Sequence, residues 1–441
     1  MTATDSTAAV EAVFRIEFSR LVGGLVRRVG DVGLAEELAQ DALADALEQW
    51  PREGTPRNPG AWLMTVAKRK AVDRFRRDRV LAAKYARIGV DPDSTAPGHS
   101  SFDLEPDDDH IADDRLRLIF VACHPVLSMP SRLALTLRLL GGLTTAEIAR
   151  AYVQPEATIA QRIVRAKKAI AEAGIPFEVP VGEDRAARLG TVLEVVYLIY
   201  NEGYSATSGG SWVRIDLCQE AVRLGRLLAA LAPDESEVHG LLALMEIQSS
   251  RLAARLGPSG QPVLLLDQDR RRWDQLLITR GLVSLDRARA LGDGTGIYTL
   301  QAAIAACHVR SRRAEDTDWV QIAALYETLA TVMPSPIVEL NRAVALSMAF
   351  GPTAGLAHVD ELGESGTLDR YHLFHSVRGD LLGKVGRHAE ARDEFEAAAS
   401  LTENLSEREL CQTRADVAAQ LATAEAGRVD EASDARRTPS S

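Results

Sequence analysis

The sequence has few cysteines, and they are widely spaced. Only four occur in 441 residues, at Cys123, Cys218, Cys307 and Cys411. This spacing predicts neither a C-x-x-C metal site nor a disulfide framework, and it suits a reducing cytoplasm. Two of the cysteines precede a histidine, but such dipeptides are more typical of buried helical cysteines than of a catalytic pair.

Membrane and enzyme signatures are also missing. No apolar run is long enough to cross a bilayer and no signal peptide is recognised, so we expect a cytoplasmic, soluble protein without membrane contact. The sequence has no paired catalytic carboxylates, nucleophile elbow, phosphate-binding P-loop or zinc signature. We therefore expect no enzymatic activity, no catalytic residues, no cofactor and no bound metal.

Charge is unevenly distributed along the chain. A formal net charge of −11 argues against a protein that coats duplex DNA, which would be basic overall. A hydrophobic content of 46% excludes a mostly disordered chain, and 441 residues are enough for two or three domains. Because positive charge is concentrated in two helical segments, any contact with nucleic acid should be confined to them.

The segment from Leu143 to Ile170 predicts a helix-turn-helix. Thr144 or Thr145 can cap a short first helix, and Pro155 suits the first turn of a second one. Apolar residues of the second helix recur at three- and four-residue steps and should face the core: Ile159, Ile163, Ala166 and Ile170. Its opposite face carries Thr158, Gln161, Arg162, Arg165 and Lys168. Gln and Arg can recognise base edges in the major groove, whereas Lys and Thr more often bind phosphates.

Two upstream helices of opposite charge favour this DNA-binding interpretation over a helical hairpin with a solvated basic face. In the first, residues 31–50, we expect a buried stripe of Leu34, Leu38, Ala42, Leu43 and Leu47. Its outer face is acidic and comprises Glu36, Glu37, Gln40, Asp41, Asp45 and Glu48. In the second, residues 59–79, we expect Trp62, Leu63, Val66, Ala67 and Val72 to pack inward. Its outer face is a basic strip of Lys68, Arg69, Lys70, Arg74, Arg76, Arg77 and Arg79. Such a strip suits phosphates, and Trp62 or Phe75 could stack on bases if exposed.

The order of these elements resembles sigma-70 family RNA polymerase sigma factors of the extracytoplasmic-function type. The features that carry the resemblance are the acidic helix, the loop, the motif W-L-x-x-V-A-x-x-x-A-V-D-x-x-R, the acidic linker and the helix-turn-helix. It implies two small helical modules, region 2 over residues 10–79 and region 4 over residues 111–173. The remainder resembles the subgroup with a C-terminal tetratricopeptide-like (TPR-like) extension. The implied function is promoter recognition and transcription initiation, with core RNA polymerase and promoter DNA as partners.

The resemblance also implies roles for individual residues. Glu37, Gln40, Asp41 and Asp45 lie on the helix that docks on the clamp helices of the polymerase β′ subunit, and a contact with the β flap is also implied. The loop at residues 51–59 matches the loop that captures a flipped base of the −10 element, where Arg57 and Asn58 are the candidates; a plain connector is the alternative. The other −10 candidates are Trp62, Lys68, Arg69, Arg74 and Arg77. The −35 candidates are Thr158, Gln161, Arg162, Arg165 and Lys168.

Composition marks two domain boundaries. Residues 80–110 are rich in Pro, Gly, Ser and Asp and contain no Lys or Arg after Arg87, which predicts a flexible acidic linker. In sigma factors this position leads through the polymerase cleft; a simple tether is the alternative. Residues 174–184 end the helical pattern with two prolines and glycine. We therefore expect a C-terminal helical domain over 185–424 and a disordered tail over 425–441.

The C-terminal half predicts an all-α, TPR-like array. Residues 339–362 and 371–401 loosely repeat each other, each with a helix, a turn containing glycine and a second helix. In the second stretch Ala391, Phe395 and Ala398 have the spacing of a packed repeat helix, with Phe395 expected to fill a neighbouring groove. Such arrays usually present a concave surface to a peptide or protein, so we expect a partner there.

Two segments of this half have competing interpretations. Residues 201–212, NEGYSATSGGSW, could line a ligand pocket, but a cap on a helix pair is favoured. The run Arg270, Arg271 and Arg272 could contact DNA or polymerase, but a solvated helix end is favoured.

Function also has alternatives. Our hypothesis is that the residues beyond Asp184 set the activity of a sigma factor. A conventional helix-turn-helix regulator with a TPR-like sensor is the alternative, and a third possibility makes the C-terminal half a sensor of a small molecule or peptide.

Overall fold

The protein is all-α. The computed structural model describes residues 3–87, 111–152, 154–205, 213–258 and 261–437. Within these ranges it has eighteen α-helices and no β-strand, with one isolated antiparallel bridge between Leu256 and Pro262. The predicted fold class is confirmed. None of the helices in these ranges combines the length and the apolar character needed to cross a bilayer.

The chain divides into two compact units, Met1–Leu198 and Ile199–Ser441. The helices of the first unit are α1 (Ala3–Val29), α2 (Val32–Glu53), α3 (Pro59–Arg87), α4 (Ile111–Ala122), α5 (Met129–Leu139), α6 (Thr145–Ala151), α7 (Glu156–Glu172) and the first part of α8 (Gly182–Tyr204).

Helix α2 packs through small side chains. Asp31 caps its start, with Oδ1 accepting a hydrogen bond from Leu34 N (2.6 Å). Its buried stripe comprises Val32, Ala35, Leu38, Ala39, Ala42, Ala46 and Trp50. The predicted leucine stripe is therefore rotated: Leu34 and Leu43 are only half-buried and Leu47 is exposed. The reason is that alanines let neighbouring helices approach closely, which moves the leucines to the edge of the contact.

Helix α3 is longer than the sequence predicted. It continues to Arg87, so the linker expected from residue 80 begins later, and residues 88–110 lie outside the described ranges. Between Pro59 and Val80 its buried positions are Leu63, Ala67, Lys68 and Ala71. Val72, predicted to pack inward, is 41% exposed. The loop before α3 shortens to residues 54–58, because α2 extends to Glu53.

The helix-turn-helix prediction is confirmed in α6 and α7. Thr144 and Glu147 form a capping box, in which Glu147 N donates to Thr144 Oγ1 (3.1 Å) and Thr144 N donates to Glu147 Oε2 (2.7 Å). Pro155 stands at the N-cap of α7, immediately before the first turn in which it was predicted. The four residues expected to face the core are buried: Ile159, Ile163, Ala166 and Ile170.

Two buried carboxylates form ion pairs between helices of the first unit, one joining α1 to α4 and the other joining α2 to α5 and α7. Asp114 on α4 is 2% exposed and lies 3.2 Å from Arg27 Nε on α1. Glu36 on α2 is also 2% exposed, and its Oε1 lies 2.5 Å from Arg138 Nε on α5. Its Oε2 lies 2.6 Å from Lys167 Nζ on α7, an ion pair without hydrogen-bond geometry. Glu36, predicted to face solvent, is thus a packing residue because two distant cations reach it.

The second unit continues with helices joined mostly by short turns. They are α9 (Ile215–Leu231), α10 (Ser236–Ser249), α11 (Gln275–Leu291), α12 (Ile297–Arg310), α13 (Trp319–Val332), α14 (Pro336–Phe350), α15 (Pro352–Gly363), α16 (His372–Lys384), α17 (His388–Leu401) and α18 (Leu405–Arg437). The segment expected to cap a helix pair begins at the end of α8, where Gly203 O accepts a hydrogen bond from Arg214 N (2.7 Å). Residues 206–212 of that segment lie outside the described ranges.

The two predicted repeats are helical hairpins. The first is α14 and α15, joined by Gly351 alone at φ 98°, a backbone conformation that favours glycine. The second is α16 and α17, where Phe395 is 4% exposed and a Cβ on Gly379 would lie 3.0 Å from its ring. Phe395 therefore fills a groove on α16, as its spacing predicted.

Helix α18 continues past the point where a disordered tail was expected. It runs to Arg437, whereas the tail was predicted from residue 425; residues 438–441 lie outside the described ranges. Its last turns are rich in Ala, Glu and Arg. These residues have high helix propensity, which outweighs the polar composition that suggested disorder.

His308 is held uncharged in the interior of the second unit. It is 8% exposed, and its ring lies edge-on to Trp319 with centroids 5.1 Å apart. Burial, followed by the charges of Arg251 and Arg270, lowers the pKa of His308 to about 3.

His308 should make the protein less stable in mild acid. Below its ordinary pKa of 6.5, the unfolded chain binds a proton that the folded protein excludes. Stability therefore falls as the pH drops from about 6.5 toward 3, by about 2 kcal/mol between pH 7 and pH 5. Urea unfolding at both pH values measures this effect. The free energy of unfolding should fall more steeply with decreasing pH for the wild type than for His308→Gln. Parallel pH profiles for the two proteins would contradict the prediction.

Candidate nucleic-acid interface

Helix α7 presents a mixed polar, basic and apolar face to solvent. Gln161, Arg165 and Lys168 are exposed, whereas Thr158 and Arg162 are half-buried. Lys168 lies 3.5 Å from Glu172 on the same helix. Val164 also belongs to this face, although it was not among the predicted residues: it is 62% exposed between Gln161 and Lys168. Helical spacing could have predicted its exposure, because it lies three residues after Gln161 on the outer face. An exposed aliphatic side chain at this position suits contact with a thymine methyl group.

Helix α2 presents an acidic face. Glu37, Gln40 and Asp41 are exposed and Asp45 is half-buried. Within the described ranges Asp41 has no ion-pair partner, while Gln40 Nε2 donates to Glu36 Oε1 (2.7 Å). This arrangement leaves Asp41 available to a basic protein surface.

Helix α3 carries the basic strip next to this acidic face. Arg69, Arg74 and Arg77 are exposed as predicted. Two strip residues pair with α2: Lys70 Nζ lies 2.9 Å from Asp45 Oδ1, and Arg74 Nη1 lies 2.8 Å from Glu37 Oε2. The structure thus joins residues that had been predicted to bind two different partners.

Lys68 does not lie on the exposed basic strip. It is only 8% exposed, which corrects the prediction that it faces DNA. The reason is positional: Leu63, Ala67 and Ala71 repeat every four residues along the buried stripe, and residue 68 lies at the edge of that stripe.

The loop at residues 54–58 exposes Arg57 and Asn58. The Asn58 side chain already has a structural task, since its Oδ1 accepts a hydrogen bond from Ala61 N (3.1 Å) and caps α3. Its amide nitrogen is the group left for a ligand. Trp62 is half-buried and packs edge-on against the buried Trp50, with ring centroids 5.4 Å apart. This contact orients Trp62 and leaves part of its ring accessible.

The cysteines do not support thiolate chemistry. All four are free and buried. Burial raises the pKa of each thiol, to about 11 for Cys123 and about 12 for Cys218. Such thiols stay protonated at neutral pH and are poor nucleophiles and metal ligands.

The N-terminal part of this chain is similar to known proteins. A model of sigma-70 region 2 matches residues 16–80. The ECF RNA polymerase sigma factor SigK of Mycobacterium ulcerans (strain Agy99) is 32% identical over 152 residues, which cover 33% of this chain and 74% of that protein. This chain belongs to the extracytoplasmic-function sigma-factor family. SigK of Mycobacterium sp. (strain KMS) is 31% identical over 163 residues, which cover 35% of this chain and 77% of that SigK protein.

The C-terminal extension of the sigma factor has relatives of its own. A model described as a family of unknown function, DUF6596, matches residues 188–289. An uncharacterized protein of Rhizobium meliloti (strain 1021) is 45% identical over 404 residues, which cover 91% of this chain and 94% of that protein. No solved structure matches. The similarity to that protein therefore spans most of this chain, including the extension.

Membership in the family gives the general function. The protein is an RNA polymerase sigma factor that acts with core RNA polymerase and promoter DNA in transcription initiation. Sigma factors as a class are not enzymes.

Proposed function

We propose that this sigma factor acts in the cytoplasm and uses separate faces of its first unit for polymerase and for the two promoter elements. The α7 face binds the −35 element, the α2 face binds the β′ clamp helices, and α3 with the loop at residues 54–58 binds the −10 element. The single observation that carries the proposal is α7, where Gln161, Val164 and Arg165 are exposed above a buried apolar stripe. A β flap contact by region 4 belongs to the same proposal.

In the major groove, Gln161 and Arg165 would make the base contacts. Both side chains can form paired hydrogen bonds to one base, Gln with adenine and Arg with guanine. Lys168 would hold a phosphate and so position the helix without specifying sequence. Thr158 and Arg162 are half-buried and would contact the backbone at the edge of the groove.

On α2 and α3, polymerase binding would expose DNA-binding charge. Glu37 and Asp45 neutralise Arg74 and Lys70 in the free protein. Because such partly exposed pairs are worth about 1 kcal/mol or less each, polymerase can replace them at low cost. Docking of the clamp helices on the carboxylates would free the two cations for phosphates of the −10 region. Arg69, Arg77, Arg57, Asn58 and Trp62 would complete that surface.

The C-terminal unit would regulate this activity, either by contacting the first unit or polymerase itself or through a bound partner. The support is its architecture: hairpins α14–α15 and α16–α17 stack on one continuous apolar core that includes Leu340 and Phe395. Helical arrays of this kind offer long surfaces to peptides or proteins. Regulation by a fused unit needs no separate inhibitor protein.

Run-off transcription with purified core polymerase tests the proposal. On a library of promoter-like templates, we expect initiation that depends on added protein. A chain that ends at Val181, before α8, should differ from the full chain by several-fold in output per bound polymerase. Equal output from the two chains would contradict the regulatory role. Absence of initiation together with specific duplex binding by the protein alone would favour a conventional helix-turn-helix regulator.

A further inference from the structure

Three arginines lie close together inside the second unit: Arg251, Arg255 and Arg270. Arg251 and Arg255 both lie against the Tyr204 ring, with guanidinium carbons 5.8 Å and 3.7 Å from its centroid. Ala254, next to Arg255, packs with Trp273 in one apolar cluster. Arg270 lies over the Trp273 ring at 4.9 Å. Arg251 acts electrostatically on both Arg255 and Arg270, so the three guanidinium groups lie near one another.

The cluster holds three positive charges, and the negative charges of Glu315 and Asp316 act on Arg270 without forming an ion pair with it. Arg255 is 5% exposed, and Arg251 and Arg270 are half-buried. Across the described ranges neither Arg251 nor Arg270 forms an ion pair. Burial lowers the pKa of Arg255 and that of Arg270, and Arg251 contributes to both shifts by repulsion.

The arginines are held in fixed orientations by neutral groups. Arg270 Nη1 donates to the carbonyls of His308 and Ser311 (both 2.7 Å), and its Nη2 donates to Thr317 Oγ1 (3.0 Å). Arg251 donates to the Tyr204 hydroxyl, and Arg255 donates to the Tyr204 carbonyl. The guanidinium groups are therefore preorganised, and the neutral acceptors of Arg251 and Arg270 leave the positive charge of these two residues in place.

Several buried donors in the cluster have no acceptor. Within the described part of the chain, Arg251 Nε, Arg270 Nε and Trp273 Nε1 are buried without a hydrogen-bond partner. Trp273 is 3% exposed. Buried polar groups are nearly always paired, so three unpaired donors in one cluster indicate acceptors that a ligand would supply. Because the donors lie beside three guanidinium groups, a negatively charged acceptor fits best.

We propose that Arg251, Arg255, Arg270 and Trp273 form a binding site for an oxyanion, the carboxylate or phosphate group of a small molecule. The planar guanidinium fork matches both groups through paired hydrogen bonds. Trp273 supplies an additional N–H donor, and the Tyr204 and Trp273 rings flank the site. Binding at this site is measured without polymerase, so it can succeed or fail independently of the proposed regulatory role.

Calorimetric titration of the full chain tests the site with two probes, inorganic phosphate and malonate, each against chloride at equal ionic strength. We expect saturable binding of one equivalent of at least one probe. At a concentration tenfold above Kd, that probe should raise the Tm of the second unit by about 3–5 °C. A response to phosphate alone identifies a phosphorylated ligand, and a response to malonate alone identifies a carboxylate.

Variants separate the site from general charge effects. Arg251→Gln should weaken binding at least tenfold, and Arg251→Lys should do the same because lysine keeps the charge but lacks the fork. Arg280→Gln, at an exposed position of α11, removes the same charge and should leave binding unchanged. Unaltered binding by Arg251→Gln would overturn the proposal. So would a wild-type response to both probes no larger than that to chloride, a result that decides the matter even if Arg251→Gln does not fold.

Discussion

Replacing Glu36 with glutamine should lower the free energy of unfolding of the first unit by about 3 kcal/mol. The Glu36 carboxylate is almost fully buried and meets Arg138 on α5 and Lys167 on α7. Glutamine has nearly the same shape but no charge, so it would leave two partly buried cations without a counter-charge. The expected loss lies at the lower end for broken buried pairs, because these cations retain some contact with water.

Amide hydrogen exchange of the full chain measures where the stability is lost. We expect faster exchange in α5 and α7, the helices that carry the two cations, together with a lower urea midpoint for the first unit. Glu37→Gln is the matched control, since it makes the same change one residue later in an exposed pair with Arg74. That control should cost less than about 1 kcal/mol. Equal effects of the two substitutions would show that burial of Glu36 contributes nothing.

Substitution of the α7 outer face should cause the largest loss of transcription. We expect Arg165→Ala and Gln161→Ala each to lower initiation about 10-fold to 100-fold on a promoter selected by the wild type. Each removes a side chain able to pair with one base, an interaction worth about 1–3 kcal/mol. The measurement is run-off transcription with core polymerase at fixed, limiting protein concentration.

Two comparisons distinguish base recognition from loss of charge. On a template with a scrambled −35 element, Arg165→Ala and wild type should give equal output, because the base contact is absent for both. Lys168→Ala should reduce output by a similar factor on both templates, since a phosphate contact does not depend on sequence. A uniform loss for Arg165→Ala on both templates would place Arg165 on the DNA backbone instead.

The helix-turn-helix was predictable because its signals are local. The Thr144 and Glu147 capping box joins residues three apart, and the stripe from Ile159 to Ile170 follows from helical periodicity. The Phe395 groove was predictable for the same reason, since repeat spacing places it opposite a glycine. In each case the residues that decide the structure lie close together in the chain.

The polar residues of α2 and α3 were harder to place. Helical periodicity predicted that Glu36 and Lys68 are exposed like their polar neighbours, although both lie at the edge of a buried stripe. For Glu36 the decision rested with Arg138, 102 residues away in the chain. No pattern within one helix contains that information.

The sequence by itself determined the all-α class, the helix-turn-helix and the outer face of α7, because capping and periodicity act over a few residues. Only the tertiary structure decided which charged side chains are buried. It drew Glu36 inward between two cations, paired Glu37 with Arg74, and turned Arg270 from a predicted solvated helix end into part of an interior cluster. A buried charge is stable only where distant residues supply its partners, and only the folded chain brings them together.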